Sequence, residues 1–510
     1  MRYTAPFTAK AKLLRKVIFI LVAWAMLTLS LALTAPAQTY RNFEGPQVHP
    51  LALTPDGTRL LALNTPNNQL LVFHLTGSTT TLLAEIPVGL EPVSIALRSN
   101  NEAWVVNWLG DSVSVVDLTK MRVVRSFDVG DEPTDVIFAG GASEKAFVCV
   151  SGLNQVKVYD PNNANAAPQT VAIRGKQPRS LARNADGSQV FVSVFESGNN
   201  TTTVPQTIVS ANGGLPPPNP ARNPALPPNP ATGLIVKWNG TSWLDERGTF
   251  SWNPFISYSL ADVDVVALQA NAPTVTTAQE IRHIGTLIGN AAYDAPRQRL
   301  LVANIESTNE VRFEQNLDGK FTRTRVAAVN LSGATATFTN WDANPHINYA
   351  GPGSDAERAQ SLALPADLQV AADGTAYMAG NGSARIGVFN AAGNVVARIN
   401  VGGGPTGLAL DEPRQRLYVL NRFDETLSVI DTASRAELRR VQLGFNPEPT
   451  DVRIGRRFLF DGEFRCGLRF GKEVSRGPFG HRPFTAQSAA PVQRGVLRAG
   501  GTARARGAFA

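Results

Sequence analysis

The sequence predicts an all-β chain folded as a seven-bladed β-propeller, with eight the alternative count, a Pro-rich insertion and an irregular C-terminal tail. The first observation is a recurring phrase, seen as Val88-Gly89-Leu90-Glu91-Pro92, Val129-Gly130-Asp131-Glu132-Pro133 and Val401-Gly402-Gly403-Gly404-Pro405. The second is its spacing: prolines 92, 133 and 178 stand 41 and 45 residues apart, and prolines 405 and 449 stand 44 apart. That is the period of a propeller blade. The third is the strand pattern after each phrase. A short alternating run such as Val93-Ser94-Ile95-Ala96-Leu97 leads to a turn, a second run ending in Asn or Ser, and then a third.

Composition agrees with a large buried core. The chain has 510 residues, of which 43% are hydrophobic and 17% charged, which excludes global disorder, a collagen-like fibre and a disulfide-stapled miniprotein. Its formal charge of +7 is unevenly placed. Arg2, Lys10, Lys12, Arg15 and Lys16 crowd the first 37 residues with no acid. The stretch from Arg465 onward holds eight arginines and Lys472 against Glu473 alone. The body between them is mildly acidic, a poor surface for nucleic acid, so no nucleic-acid partner is expected.

The basic start precedes the apolar run Val17 to Leu33 and then Ala35-Pro36-Ala37, small residues where a signal peptidase reads. Residues 1–37 therefore read as a secretory signal, and the mature chain as periplasmic or secreted. A run of this length lies at the lower limit for a bilayer span. A retained anchor, holding the chain near a membrane, is the alternative. Only Cys149 and Cys466 occur, so disulfides do not stabilise the fold, and Cys149, within Ala146 to Val150, reads as a buried strand residue.

Blade starts are expected near residues 46, 88, 130, 174, 283, 361 and 401 within a propeller at 38–460. Residues 444–460 begin a further unit. Pro55-Asp56-Gly57, Ala185-Asp186-Gly187 and Ala372-Asp373-Gly374 place a Gly where hairpins need positive φ. Asn64, Asn107, Asn304 and Asn421, which end second strands, read as turn formers. Ring closure is expected from an N-terminal strand near Arg41 to Gly45 that completes the last blade.

Two stretches break the repeat. Residues 200–262 pass through Pro216-Pro217-Pro218-Asn219-Pro220 and Pro227-Pro228-Asn229-Pro230, then Trp238, Trp243 and Trp252. Prolines force extended, poorly paired backbone, so this is a surface excursion. Its tryptophans either pack a small hairpin on the rim or form a contact surface for a partner, packing being favoured. The stretch Glu314 to Glu357 contains His346, read as a polar loop residue because no second His lies near it.

The segments Trp104-Val-Val-Asn-Trp-Leu-Gly-Asp-Ser-Val-Ser-Val-Val-Asp117 and Leu417-Tyr-Val-Leu-Asn-Arg-Phe-Asp-Glu-Thr-Leu-Ser-Val-Ile-Asp431 resemble YVTN-type β-propeller repeats. The likeness covers about residues 46–460. Val48 to Gly57, Asn309 to Glu314, Ser361 to Pro365 and above all Asn446 to Asp461 are similar to an exported subfamily in which the propeller runs into a c-type cytochrome domain bearing Cys-x-x-Cys-His. The resemblance implies an electron-transfer relative. This chain departs from it, because covalent haem attachment needs two thiols and an adjacent axial His, and Cys466 has neither. Residues 461–510 accordingly read as a basic, low-order tail, with out-of-frame translation in place of a cytochrome domain favoured over a genuine basic tail or a domain lost by descent. Haem c is expected only with an intact C-terminal domain.

Catalytic constellations are scarce: five His, no Gly-x-Ser-x-Gly and no His-Glu-x-x-His. Repeat equivalence places Glu91, Glu132, Gln177 and Glu448, each before a proline, on one face of the ring, with His49 and His283 near corresponding positions. Adjacent carboxylates there could hold calcium or a cationic ligand. The plainer reading is a solvated loop choice copied with the blades. The expectation is a binding or scaffold propeller with a protein or small-molecule partner. A metal-dependent channel-mouth enzyme such as a lactonase, and a redox subunit lacking its cytochrome domain, are the alternatives.

Overall fold

A computed structural model describes residues 43–462 apart from 77–78, 199, 217–224, 226–230, 260–261, 308–321, 334 and 350–353. The signal segment, Asn309 to Phe313, most of the prolines of the insertion, Cys466 and the basic tail lie outside the described residues. Seven four-stranded antiparallel units follow one another: blade 1 (51–87), blade 2 (92–128), blade 3 (133–172), blade 4 (176–281), blade 5 (287–342), blade 6 (365–400) and blade 7 (405–442). Their starts fall within a few residues of the repeat spacing.

Continuous apolar runs on the middle strands, such as Leu60-Leu61-Ala62-Leu63 and Ala103-Trp104-Val105-Val106, make each blade hydrophobic on both faces, so it must be sandwiched between neighbours. Separate buried clusters fill the interfaces between successive blades from 1–2 to 6–7. A seventh closes the circle, packing Leu60, Leu71 and Phe73 of blade 1 against Tyr418, Leu420 and Leu427 of blade 7. Blades 4 and 5 are also joined by one strand pair, Glu196 with Leu287.

Closure differs from the expectation. Blade 7 is completed by its own strand Ala436–Gln442, and residues 43–45 are not strand. No shared blade is needed, because the blade 7–blade 1 interface is as apolar as the others. Residues 450–460, where a further unit was expected to begin, form a helix, Thr450–Phe460. The blade count is seven.

The turns follow the sequence. Gly57, Gly187 and Gly374 have φ of 67°, 69° and 91°, as the Asp-Gly hairpins require. The strand-ending asparagines do not act as turn formers. Asn107 and Asn421 are fully buried; their amides donate to Ser112 and Ser114, and to Thr426 and Ser428, on the next strand. Gly89, Gly285 and Gly402 pack on Asn107, Asn304 and Asn421 so closely that a Cβ would meet the amide side chain at 2.5–2.7 Å. Gly89, Gly285 and Gly402 are therefore packing residues, whereas Gly130 has a φ of 96° and meets Leu153 instead.

The insertion leaves blade 4 between its second and third strands and folds into a small sheet, Thr201–Val204, Leu234–Trp238 and Trp243–Leu244, beside a short helix Gln206–Ala211. Trp252 is fully buried with Val204, Val209, Leu234 and Val236, its indole N–H donating to Asp245 at 3.2 Å. It is a core residue and not a contact surface. Trp238 and Trp243 are half-buried and pack on each other at 5.6 Å. Cys149 is buried in its strand, and burial pushes its thiol up to about 12.

A Cβ at Gly407 would lie 2.5 Å from Pro50 Cγ. Gly407→Ala is expected to cost about 1–3 kcal/mol through this overpacking. Thermal unfolding measures it, and an unchanged midpoint would mean that residues 46–50 do not lie across blade 7.

Candidate functional site on the propeller axis

The innermost strands share one irregularity. A β-bulge follows the entry residue in blades 2 and 4–7, and blade 3 shifts register opposite the same place. Such a bulge re-aims the side chain beside it. The residue two positions after each entry thus occupies one repeat position on the inner strands: Ser94, Asp135, Ser180, Asn290, Asp367 and Gly407. In blade 1 the register puts Pro50 there, since Leu63 N–H donates to its carbonyl.

Residues 44–50 form a strap over this level. Gln47 bonds Thr65 of blade 1 at 2.7 Å and Thr406 of blade 7 at 2.5 Å. Val48 N–H donates to Val93 carbonyl, Ile95 N–H to His49 carbonyl, and Asn290 Nδ2 to Val48 carbonyl. His49 then sets its Nδ1 2.9 Å from Asp135 Oδ2 and its Nε2 3.8 Å from Asp367 Oδ1. Burial disfavours the imidazolium, but Asp135, by charge and hydrogen bond, and then Asp367 outweigh it and lift its pKa to about 9.

Both aspartates are buried and heavily bonded. Asp135 accepts from Ser94 Oγ of blade 2, Leu181 N–H of blade 4 and Val136 N–H. Asp367 accepts from Asn290 Nδ2 of blade 5, Leu408 N–H of blade 7 and Leu368 N–H. Burial raises the Asp367 carboxyl against the pull of His49 and these donors. Neither aspartate stood out in the sequence. The signal was there: among the entry prolines followed two residues later by a side chain, only blades 3 and 6 carry an acid.

Beyond His49 the channel continues as a cavity of about 520 Å³. Its walls are Ala96, Val136, Leu181, Ala291 and Leu368, and Arg98, Arg183, Glu144 and Asp186 stand towards the Asp-Gly turns.

The residues before the prolines share a backbone and not a site. Glu91, Glu132 and Gln177 all have left-handed φ, 49°, 53° and 56°. Their N–H groups donate to Asn68, Asp111 and Asn154 of the preceding blade. Conformation is what the repeat copies. Glu132 is exposed and Gln177 half-buried. His283 lies four residues before the equivalent of Glu91, pairing with Asp262 at 2.7 Å beside the insertion.

Glu91 and Glu448 do come together, in a buried network that the sequence did not announce. Glu448 is clamped by Arg422 at 2.9 Å and by Arg456, which also holds Glu44 at 3.0 Å. Burial opposes its charge, yet the two guanidiniums hold its carboxyl down at about 2. Arg422 also pairs with Glu425. Burial pushes Glu425 and Glu91 up to about 7, with Glu448 adding to the effect and Arg422 opposing it in both. Glu91 Oε2 and Glu425 Oε2 are buried with no hydrogen-bond partner among the described residues. No group of three His, Cys, Asp or Glu side chains arranged for a metal occurs among the described residues.

No family model and no curated protein sequence matches the chain. Solved structures do. Hydrazine synthase of Kuenenia stuttgartiensis aligns with a TM-score of 0.55 at 15% identity over 78% of this chain and 99% of that one. Virginiamycin B lyase of Staphylococcus aureus gives 0.41 at 10%, covering 74% and 92%. The dihydro-haem d1 dehydrogenase NirN gives 0.40 at 12%, covering 78% and 66%. At 15% identity the hydrazine synthase likeness shows the β-propeller fold and nothing finer.

Because His49 has a higher pKa folded than its ordinary 6.5, its stabilisation is complete below pH 6.5 and disappears as pH rises through about 9. The unfolding free energy is expected to fall on the order of 2 kcal/mol across that window, and His49→Gln to flatten the fall. Equal slopes in both proteins would remove His49 from the account.

Proposed function

We propose that this chain is an exported binding or scaffold propeller of the YVTN type, resembling the propeller part of a haem electron-transfer protein. Residues 1–37 serve as its signal and 38–460 as its working unit. The observation that carries the reading is the helix Thr450–Phe460, which is anchored to the ring largely through its arginines. Its buried residue is Arg456, held by Glu44 and Glu448, and Arg457 bonds Asp424 at 2.5 Å. Part of its apolar surface is exposed, Ile454 at 51% and Leu459 at 74%, while Phe460 stacks on Phe423 of blade 7 at 5.8 Å. An apolar face of this kind marks a protein contact. It lies where the chain leaves the propeller, as expected of a propeller that works by holding a second domain or a partner.

The axis supports the same reading. The strap occupies the entry side, and Glu448 is neutralised by two arginines. Covalent haem has no place in the sequence, since no Cys-x-x-Cys-His occurs. The enzyme alternative draws on the orphan oxygens of Glu91 and Glu425, which a divalent cation could satisfy. No helix among the described residues is long and apolar enough to cross a membrane.

Purified mature chain is expected to keep its melting temperature when calcium is added and to turn over no lactone. A calcium-dependent rise, with lactone turnover abolished by Glu91→Gln, would establish the enzyme instead. Protein from the native host is expected to be colourless, and a Soret band would establish the redox reading.

A further inference from the structure

A second cavity, of about 630 Å³, opens between the insertion and blades 4 and 5, away from the axis. One wall comes from the insertion, with Lys237 and the half-buried Trp238, and the other from the ring, with Arg282, His283, Arg325 and Asn340. Both walls are held in place. The insertion has its own core around Trp252 and is tied down by Lys237 Nζ to Glu306 Oε1 at 2.6 Å and by the Asn200–His283 contact at 2.9 Å. A site of this size, preformed at the junction of two units, suits a small molecule.

The chemistry of the lining is unbalanced. Glu306 is buried and shared between two cations, Lys237 and Arg325, the latter at 3.0 Å. In the lining as a whole three cations, Lys237, Arg282 and Arg325, stand against two carboxylates, Glu306 and Asp262. Arg282, at the rim, is itself paired with Glu280 at 2.7 Å. Asp262, the other carboxylate of the lining, lies 2.7 Å from His283 Nδ1, a nitrogen that also meets Asn200 Nδ2 at 2.9 Å. Ammonium and guanidinium groups are donors only, so N–H groups outnumber the acceptors facing them. Trp238 and Phe338 supply flat apolar area beside these charges.

We infer that this cleft binds a small organic anion, with its carboxylate or phosphate on Lys237, Arg325 and Arg282 and its flat body against Trp238. Trp238 is thereby assigned to a ligand, whereas Trp252 builds the wall that presents it. The assignment stands apart from the scaffold reading, which rests on the C-terminal helix.

The test is calorimetric titration of the mature full chain with three probes of similar shape: benzoate, phenyl phosphate and neutral benzyl alcohol. Either anion is expected to bind at least about tenfold more tightly than the alcohol, and the tighter of the two identifies the acidic group. Trp238→Ala should weaken the anion by about tenfold. Lys237 is bound into an ion pair whose loss could disturb folding, so the charge is tested by Asn340→Asp. That change on an exposed outer strand brings a negative charge into the lining and should weaken the anion by about tenfold with an unchanged melting temperature. Binding of the alcohol as tight as that of the anions, no binding of either anion at about 1 mM, or an Asn340→Asp variant that binds like the parent would each overturn the proposal.

Discussion

One buried ion-pair relay, Asp135–His49–Asp367, ties the inner strands of the ring together. Asp135 collects donors from blades 2, 3 and 4, and Asp367 collects them from blades 5, 6 and 7. His49, on the strap that leads into blade 1, lies between the two sets. Each aspartate alone would be a carboxylate deep in a low-dielectric interior, a costly object without partners. Each instead satisfies backbone N–H groups that the bulges leave unpaired, and the shared imidazolium offsets the two negative charges. The bulges, the left-handed residues before each proline and the glycines that admit the strap are consequences of fitting seven inner strands around this group.

That arrangement decides where function can lie. A propeller usually offers its channel mouth to a ligand, but here the strap covers the entry side and Glu448 is held by Arg422 and Arg456. Two further features lie off the axis. They are the outward apolar side of the C-terminal helix, which suits a macromolecular contact, and the cationic cleft under the insertion, which suits a small anion. Features on the periphery are compatible with the ring, because blades can carry insertions without disturbing it.

Much of the fold was legible because blade physics repeats. Val-Gly-x-x-Pro, the Asp-Gly turns and the alternating runs recur for the same local reasons, so the blade starts and the surface excursion could be read directly. The site was less legible. Glu91, Glu132 and Gln177 look alike in sequence because their backbones are alike, and only their surroundings separate a buried carboxylate from an exposed one. His49 and His283 seemed equivalent until register placed one two residues after the equivalent of Glu91 and the other four before it. Asp135 and Asp367 are separated by 232 positions, and Arg422 meets Arg456 only because the chain returns as a helix. Contacts of that kind depend on ring closure, which no local pattern reports.

The most direct measurement is hydrogen exchange at the amides of Val48 and Ile95, which join the strap to blade 2 through Val93 and His49 carbonyls. If the strap is an integral part of the ring, both amides exchange as slowly as those of Leu181 and Leu408, which bond the axial aspartates. Exchange of Val48 and Ile95 at loop rates, with Leu181 and Leu408 still protected, would show that the ring stands without the strap and would contradict the account.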